Sequence, residues 1–113
     1  MKKFCLTLDL KNDDELIEAY ERYHQQDTIW PEIPEGIKAC GILTMDIYRA
    51  STRLVMFMET VDEFELKSGF EKMADLPRQK EWAALMNTLQ QRPAFAEPDE
   101  HWVEMKQIFR LNN

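Results

Sequence analysis

The first ten residues alternate, with Phe4, Leu6, Leu8 and Leu10 set against Cys5, Thr7 and Asp9. A period of two predicts a strand with one buried face. Asn12, Asp13 and Asp14 then offer a helix cap and an acidic first turn. Leu16, Ile17, Tyr20 and the pair Tyr23 and His24 recur at helical spacing, so a first helix is predicted to about Gln25, with His24 in its last turn. Pro31 cannot continue a preceding helix but suits a first helical position, which predicts a second, short helix from Pro31 to about Cys40, with Trp30 just outside it and Gly41 as its stop.

Leu43, Met45 and Ile47 alternate with Thr44, Asp46 and Tyr48, giving a strand whose second face is polar and aromatic. Arg49 to Arg53 reads as a hairpin turn, and the continuous apolar run Leu54-Val55-Met56-Phe57-Met58 predicts a strand covered on both faces. From Phe64 to about Met73 the period is loosely helical, with Gly69 as a weak point. Leu76-Pro77 opens a firmer helix carrying Trp82, Leu85, Met86 and Leu89. Pro93 and Pro98 bracket an irregular loop, and Trp102, Val103, Met105, Ile108 and Phe109 predict a closing strand with a bulge near Gln107. The order strand, helices, hairpin, helices, strand, without internal repeat, implies an α+β fold. It is a ferredoxin-like βαββαβ sandwich, an antiparallel sheet with helices on one face. The other face of such a sheet is open, and two copies commonly bury those faces together, so a homodimer of the dimeric α/β-barrel type is expected.

At 113 residues and 44% hydrophobic the chain is expected to be one domain, residues 1–113. A formal charge of -7 argues against nucleic acid and against anionic membrane surfaces, and leaves a neutral small molecule unopposed. Cys5 and Cys40 are too few and too far apart for a disulfide framework or a zinc site, which points to a reducing compartment. The apolar run after Lys2 and Lys3 is broken by Thr7 and Asp9, so it lacks the continuous core of a signal peptide, and no stretch approaches a membrane span. A cytoplasmic protein is expected. With no glycine-rich phosphate loop, nucleophile elbow or metal-ligand cluster in the sequence, neither a cofactor nor a metal is expected.

The densest chemistry lies between Tyr20 and Glu32, which holds one of only two histidines, two tyrosines and a tryptophan. On a helix Tyr20 and His24 share a face, about 5–6 Å apart at Cβ. Histidine, with an ordinary pKa of about 6.5, suits proton transfer in either direction near neutrality. Taken by itself, His24 reads more plainly as a surface histidine at a helix C-terminus, where partial positive charge is favoured.

The run Tyr20 to His24, followed by Ile29-Trp30-Pro31-Glu32, Gly41-Ile42, Ile47-Tyr48-Arg49, Trp82 with Met86, and the closing Ile108-Phe109 and Leu111, resembles the L-rhamnose mutarotase family nearly end to end. That resemblance implies interconversion of the α and β anomers of a 6-deoxy-L-sugar on a small dimerising α+β fold, with the histidine matching His24 as acid/base. Tyr20 is then a catalytic partner that holds His24, donates to a sugar hydroxyl or stabilises the open-chain carbonyl; plain aromatic packing is its bland alternative. Trp30 and Trp82 offer apolar rings to the C–H faces and methyl of the sugar, or are simply core. Tyr48, preserved from the family pattern, and Asp46 are candidate sugar ligands on the polar strand face. Asp46 could also supply a second acid/base group, although an acidic strand residue is more commonly an exposed charge or, here, an ion-pair partner of Arg49 or Arg53. Those arginines are expected to be solvated, and His101 has no assigned role.

Two positions depart from the family's rhamnose-type pattern. Met45 stands where it has an aromatic three residues before the strand tyrosine, and Trp82-Ala83 replaces a tandem tryptophan pair. The Met-acidic-Ile-Tyr-Arg run resembles an L-fucose branch, so one pocket wall is expected to have changed. Competing classes are a cofactorless monooxygenase of the small dimeric barrel type, which would want more uniformly apolar strand faces, and a non-catalytic sugar-binding or dimerising module.

Overall fold

The computed structural model describes residues 1–112. Its elements follow in the order β1 (Lys2–Leu10), α1 (Asp14–Tyr23), α2 (Glu32–Ala39), β2 (Ile42–Ala50), β3 (Arg53–Thr60), α3 (Leu66–Ala74), α4 (Gln79–Asn87), β4 (Gln90–Gln91) and β5 (Val103–Glu104). The strands make one antiparallel sheet ordered β2-β3-β1-β4, with β5 also paired to β1. This is the expected ferredoxin-like α+β order, with β1 and β3 in the centre.

Register divides the sheet into two faces, because directly paired residues project to the same side. Leu6, Leu8 and Phe4 pair with Met56, Leu54 and Met58, and Met45 and Ile47 of β2 pair with the same Met58 and Met56. These positions meet the helices. One buried cluster joins Leu6, Ile42, Met56, Met58 and Phe64, and a second joins Leu10, Tyr20, Leu54, Met86 and Leu89, with Ile47 and Trp102 packed against both. The opposite face carries Cys5, Thr7, Asp9, Arg53, Val55 and Phe57 from β1 and β3, together with Thr44, Asp46 and Tyr48 from β2.

Three sequence expectations change. The pairing of β2 with β3 shifts between Ile42 and Thr44, leaving Leu43 as the extra residue of a bulge. Leu43 therefore leaves the face of Met45 and Ile47 and is exposed, while Ile42 takes the buried place. Gly41, at φ +101°, makes the left-handed entry to this irregularity, and its carbonyl accepts the Val61 amide at 2.9 Å.

The run Leu54 to Met58 is buried on one face only: Leu54, Met56 and Met58 are covered by helices, whereas Phe57 remains 50% exposed. The closing strand is also shorter than predicted. Its edge of β1 is shared by two pieces, β4 opposite Asp9 and Leu10 and β5 opposite Leu6 and Thr7. After Glu104 one further backbone bond joins the Met105 amide to the Cys5 carbonyl at 2.7 Å. Beyond it Ile108, Phe109 and Leu111 stand exposed, and there is no strand at Gln107 for a bulge to interrupt. Ile108 and Phe109 are sequence neighbours and would project to opposite faces at a period of two, so extending the ladder would not bury all three together.

Candidate active site

The aromatic site is built where α1 ends. Asp13 caps the helix, its carboxylate accepting the Glu15 and Leu16 amides at 3.0 and 3.1 Å, which fixes where the helical register starts. That register carries Tyr20 into the second buried cluster, where it is only 4% exposed. The helix ends at Tyr23, and His24 is its C-cap rather than part of its last turn. There His24 Nδ1 lies 2.6 Å from the Tyr20 carbonyl oxygen. A carbonyl can only accept, so Nδ1 carries the proton and Nε2 of the neutral ring keeps its lone pair.

The imidazole is half-buried between aromatic rings. Its centroid is 4.2 Å from that of Tyr20 and 5.2 Å from that of Trp82, the latter edge-on at 68°. Trp82 also meets Trp30 at 5.2 Å and Tyr23 at 6.4 Å. Tyr20, His24, Trp30 and Trp82, picked out from sequence as catalytic and sugar-binding candidates, thus form one aromatic train.

Burial penalises charge and sets the protonation of this group. The His24 pKa is lowered below the ordinary histidine value by desolvation, which the bond to the Tyr20 carbonyl partly offsets. Burial pushes the Tyr20 phenol up to about 12, against a smaller opposing effect of its hydrogen bond with the Gln90 side chain. Near neutral pH the site therefore holds a neutral imidazole with a free basic nitrogen and a phenol that keeps its proton.

Asp46 and Tyr48 lie elsewhere. Pairing with Phe57 and Val55 puts them on the opposite face of the sheet, where Tyr48 is 62% exposed and edge-on to Phe57 at 5.8 Å. In one chain the sheet itself separates both from His24. On the helix side the β2 residues are Met45, Ile47 and Arg49. Arg49 is not simply solvated: its Nε meets Glu21 Oε1 of α1 at 3.1 Å, and its Nη1 donates to the Ser51 carbonyl. Arg53 pairs with Asp9 at 2.7 Å on the outer face.

Sequence reasoning passed over two further groups at the site. Arg78, left-handed at φ 62° just before α4, holds its guanidinium 4.0 Å over the Trp30 ring. It reaches Glu32 at 3.7 Å and Glu81 at 3.5 Å. Glu32 Oε1 is buried without a hydrogen bond among the described residues, so Arg78 supplies its nearest compensating charge. Gln79, which follows it, is buried and donates to the Glu32 and Ile33 carbonyls. A side chain at Gly36 would collide with that amide. Gln90 and His101 are the second group, joined by a hydrogen bond between His101 Nε2 and Gln90 Oε1. The helical periodicity gave no sign of a left-handed Arg78, and a loop histidine far from the active window gave none of its partner.

Two small hollows, of about 130 and 140 Å³, lie beside Phe64 and Lys72 and beside Gly36 and Pro77, and neither is lined by His24. Among the described residues no cluster of three or more His, Cys, Asp or Glu is placed to hold a metal, and no helix is long and apolar enough to cross a membrane. The arrangement is suited to proton transfer on a neutral, partly apolar ligand.

Comparison with known proteins adds the lineage. An L-rhamnose mutarotase of Formosa agariphila has the same fold, with a TM-score of 0.70 at 18% identity, covering 99% of this chain and 100% of that one. The chain is 35% identical to an L-fucose mutarotase of Xanthomonas campestris over 112 residues, covering 99% of this chain and 90% of the relative. It is 31% identical to an L-rhamnose mutarotase of Bacillus subtilis over 98 residues, covering 84% and 88% respectively. The family model for L-rhamnose mutarotase matches residues 3–111, and with that match running almost the full length, the chain belongs to the L-rhamnose mutarotase family.

Proposed function

We propose that this protein is a carbohydrate isomerase, a mutarotase that interconverts the α and β anomers of a 6-deoxy-L-sugar, L-fucose or L-rhamnose. The observation that carries the reading is the state of His24: Nδ1 is tied to the Tyr20 carbonyl, which leaves Nε2 as a free base in a half-buried aromatic niche. In the forward step Nε2 takes the proton of the anomeric hydroxyl as the C1–O5 bond breaks, and the imidazolium so formed returns that proton to the ring oxygen. Rotation about C1–C2 and re-closure by the reverse transfers give the other anomer, with no net gain or loss of atoms. Tyr20, with a pKa of about 12, acts in this scheme as a hydrogen-bond donor and not as a base. Trp82 and Trp30 supply apolar surface for the sugar's C–H groups, Trp30 with one face already covered by Arg78.

The working form is a homodimer that joins outer sheet faces. Val55, Phe57 and Tyr48 make an apolar patch on that face, and Phe95, Met105, Ile108, Phe109 and Leu111 are further exposed apolar side chains. Exposed apolar surface of this kind ordinarily marks an interaction site. Asp46 and Tyr48, on that outer face, then belong to the subunit interface. The free thiols Cys5 and Cys40 fit a reducing compartment such as the cytoplasm. Saturation-transfer NMR between α and β anomer signals, run in parallel with both sugars, tests the activity. Acceleration of either exchange supports it, and acceleration of neither removes it.

A further inference from the structure

The turn that leads into α4 holds an arginine where the backbone favours glycine. The Gln79 amide donates to the Leu76 carbonyl at 3.2 Å, closing a four-residue turn with Pro77 second and Arg78 third. Arg78 has φ 62° and ψ 5°. That is the left-handed conformation of the third place in a type II turn, whose ordinary occupants are glycine and asparagine. An arginine held there is strained by its own Cβ, so the reason for the residue lies in what its side chain reaches.

The turn brings two neighbouring side chains to α2. Gln79 is buried, and its amide donates to the Glu32 and Ile33 carbonyls at 3.0 and 3.4 Å, which seats the start of α4 against the start of α2. Arg78 reaches the same region with its guanidinium carbon 4.0 Å from the centre of the Trp30 ring. Its Nη1 lies 3.7 Å from Glu32 Oε1 of α2, and its Nη2 lies 3.5 Å from Glu81 Oε2 of α4. Between partly exposed groups at these distances the ion pairs add little stability. What they settle is where the guanidinium lies, and with it the charge near Glu32 Oε1, which is buried without a hydrogen bond among the described residues.

Trp30 is the ring so covered. It meets Trp82 at 5.2 Å with the planes 73° apart, and Trp82 meets His24 at 5.2 Å. With the guanidinium over one face and Trp82 at an edge-on angle, a single face of Trp30 is left for a ligand. Arg78 and His24 stand at opposite ends of this run of rings. The arginine can therefore govern how Trp30 is presented but not the proton transfer itself.

We propose that Arg78 is a positioning residue for sugar binding: oriented by Glu32 and Glu81, its guanidinium clamps the Trp30 ring so that one fixed face meets the sugar. This rests on the mutarotase reading of the same site. It goes beyond that reading by giving the strained turn a role and by separating the residue that sets affinity from those that move the proton.

Arg78→Gly suits the turn and removes the guanidinium, so it separates the clamp from support of the fold. KM and kcat for anomer exchange are measured by saturation-transfer NMR over a range of sugar concentrations, with thermal melts as the folding control. The clamp predicts a KM raised by about fivefold, the scale of a cation–π contact, with kcat within about twofold of wild type. It also predicts a changed near-ultraviolet circular dichroism as Trp30 loses its fixed place. On a Trp30→Leu background the same change raises KM no further. A wild-type KM in Arg78→Gly, a loss of rate that lies in kcat instead, or an undiminished effect on the Trp30→Leu background overturns it. Arg78→Asn, which also tolerates the left-handed backbone and is too short to reach Trp30, provides a second route: KM rises to the same extent, and an unchanged KM contradicts the clamp. If the wild-type protein exchanges the anomers of neither sugar, the functional reading falls and the clamp's part in sugar binding falls with it. If wild type exchanges and both variants keep its KM, the clamp alone falls.

Discussion

Phe57→Ala tests how the open sheet face is used. Phe57 lies on the outer side of β3 between Asp46 of β2 and Cys5 of β1, edge-on to Tyr48, and is 50% exposed in the single chain. A phenylalanine presents roughly 200 Å² in all, so about 100 Å² of each ring remains to be buried by a partner. At about 25 cal/mol per Å², less the little that alanine retains, that is about 2 kcal/mol per protomer. A symmetric dimer uses the ring twice, so the change costs about 4 kcal/mol and weakens dimerisation about a thousandfold. The fold of each protomer is expected to persist, because the helix-side partners Leu54, Met56 and Met58 are untouched. Sedimentation-equilibrium ultracentrifugation of wild type and variant over a range of concentrations reads the dissociation constant directly. A monomeric wild type, or a variant whose dissociation constant is unchanged, refutes the placement of the interface on this face.

The other predictions concern the aromatic train and its surroundings. His24 and His101 both have pKa values lowered by burial, His101 with an added contribution from the Arg92 charge. Between those lowered values and about 6.5 the unfolded chain binds protons that the folded chain does not, so the melting temperature is expected to fall as pH drops through about 6.5; a melting temperature flat from pH 7 to 5.5 contradicts the burial of these rings. For the same reason the acid limb of the exchange rate against pH is expected below about 6.5, and a limb at about 6.5 or above would contradict a desolvated catalytic imidazole. Arg78→Met removes the guanidinium from Trp30, which is expected to raise the sugar KM by about fivefold, the scale of a cation–π contact, and to change tryptophan fluorescence; neither change appearing would make Arg78 a bystander. Met45 faces the helices and Asp46 the outer side, so Met45→Tyr is expected to shift the fucose-to-rhamnose rate ratio toward rhamnose, while Asp46→Asn leaves that ratio unaltered. The reverse pattern, measured with both sugars, would return specificity to Asp46.

Where one local signal decided the structure, the sequence was a sufficient guide. Alternation fixed the faces of β1, and the Asp13 cap with helical spacing put Tyr20 inside and His24 at the helix end, which is most of the candidate site. Trp30 and Trp82 were legible as site residues because their spacing from Pro31 and from Met86 followed the family pattern. The misreadings arise where a single residue resets the phase. The extra residue at Leu43 moved Ile42 into the core, a change that alternation cannot reveal because Leu43 is itself apolar. Asp46 and Tyr48 were correctly set on one strand face, but the sequence could not say that the helices would cover the other one. The apolar run of β3 suits two covered faces, but this chain covers only one and leaves Phe57 half exposed. Gln90 and His101 escaped notice because their pairing depends on splitting the last strand, a tertiary event with no periodic trace.

The most direct test of the central claim is the anomer exchange catalysed by His24→Ala, measured by saturation-transfer NMR alongside sugar binding to the same variant. With the basic Nε2 removed and the aromatic walls left standing, exchange is expected to fall by about 10²-fold or more while binding largely survives. Exchange at the wild-type rate in this variant would contradict the account, and so would a loss of binding large enough to explain the whole loss of rate.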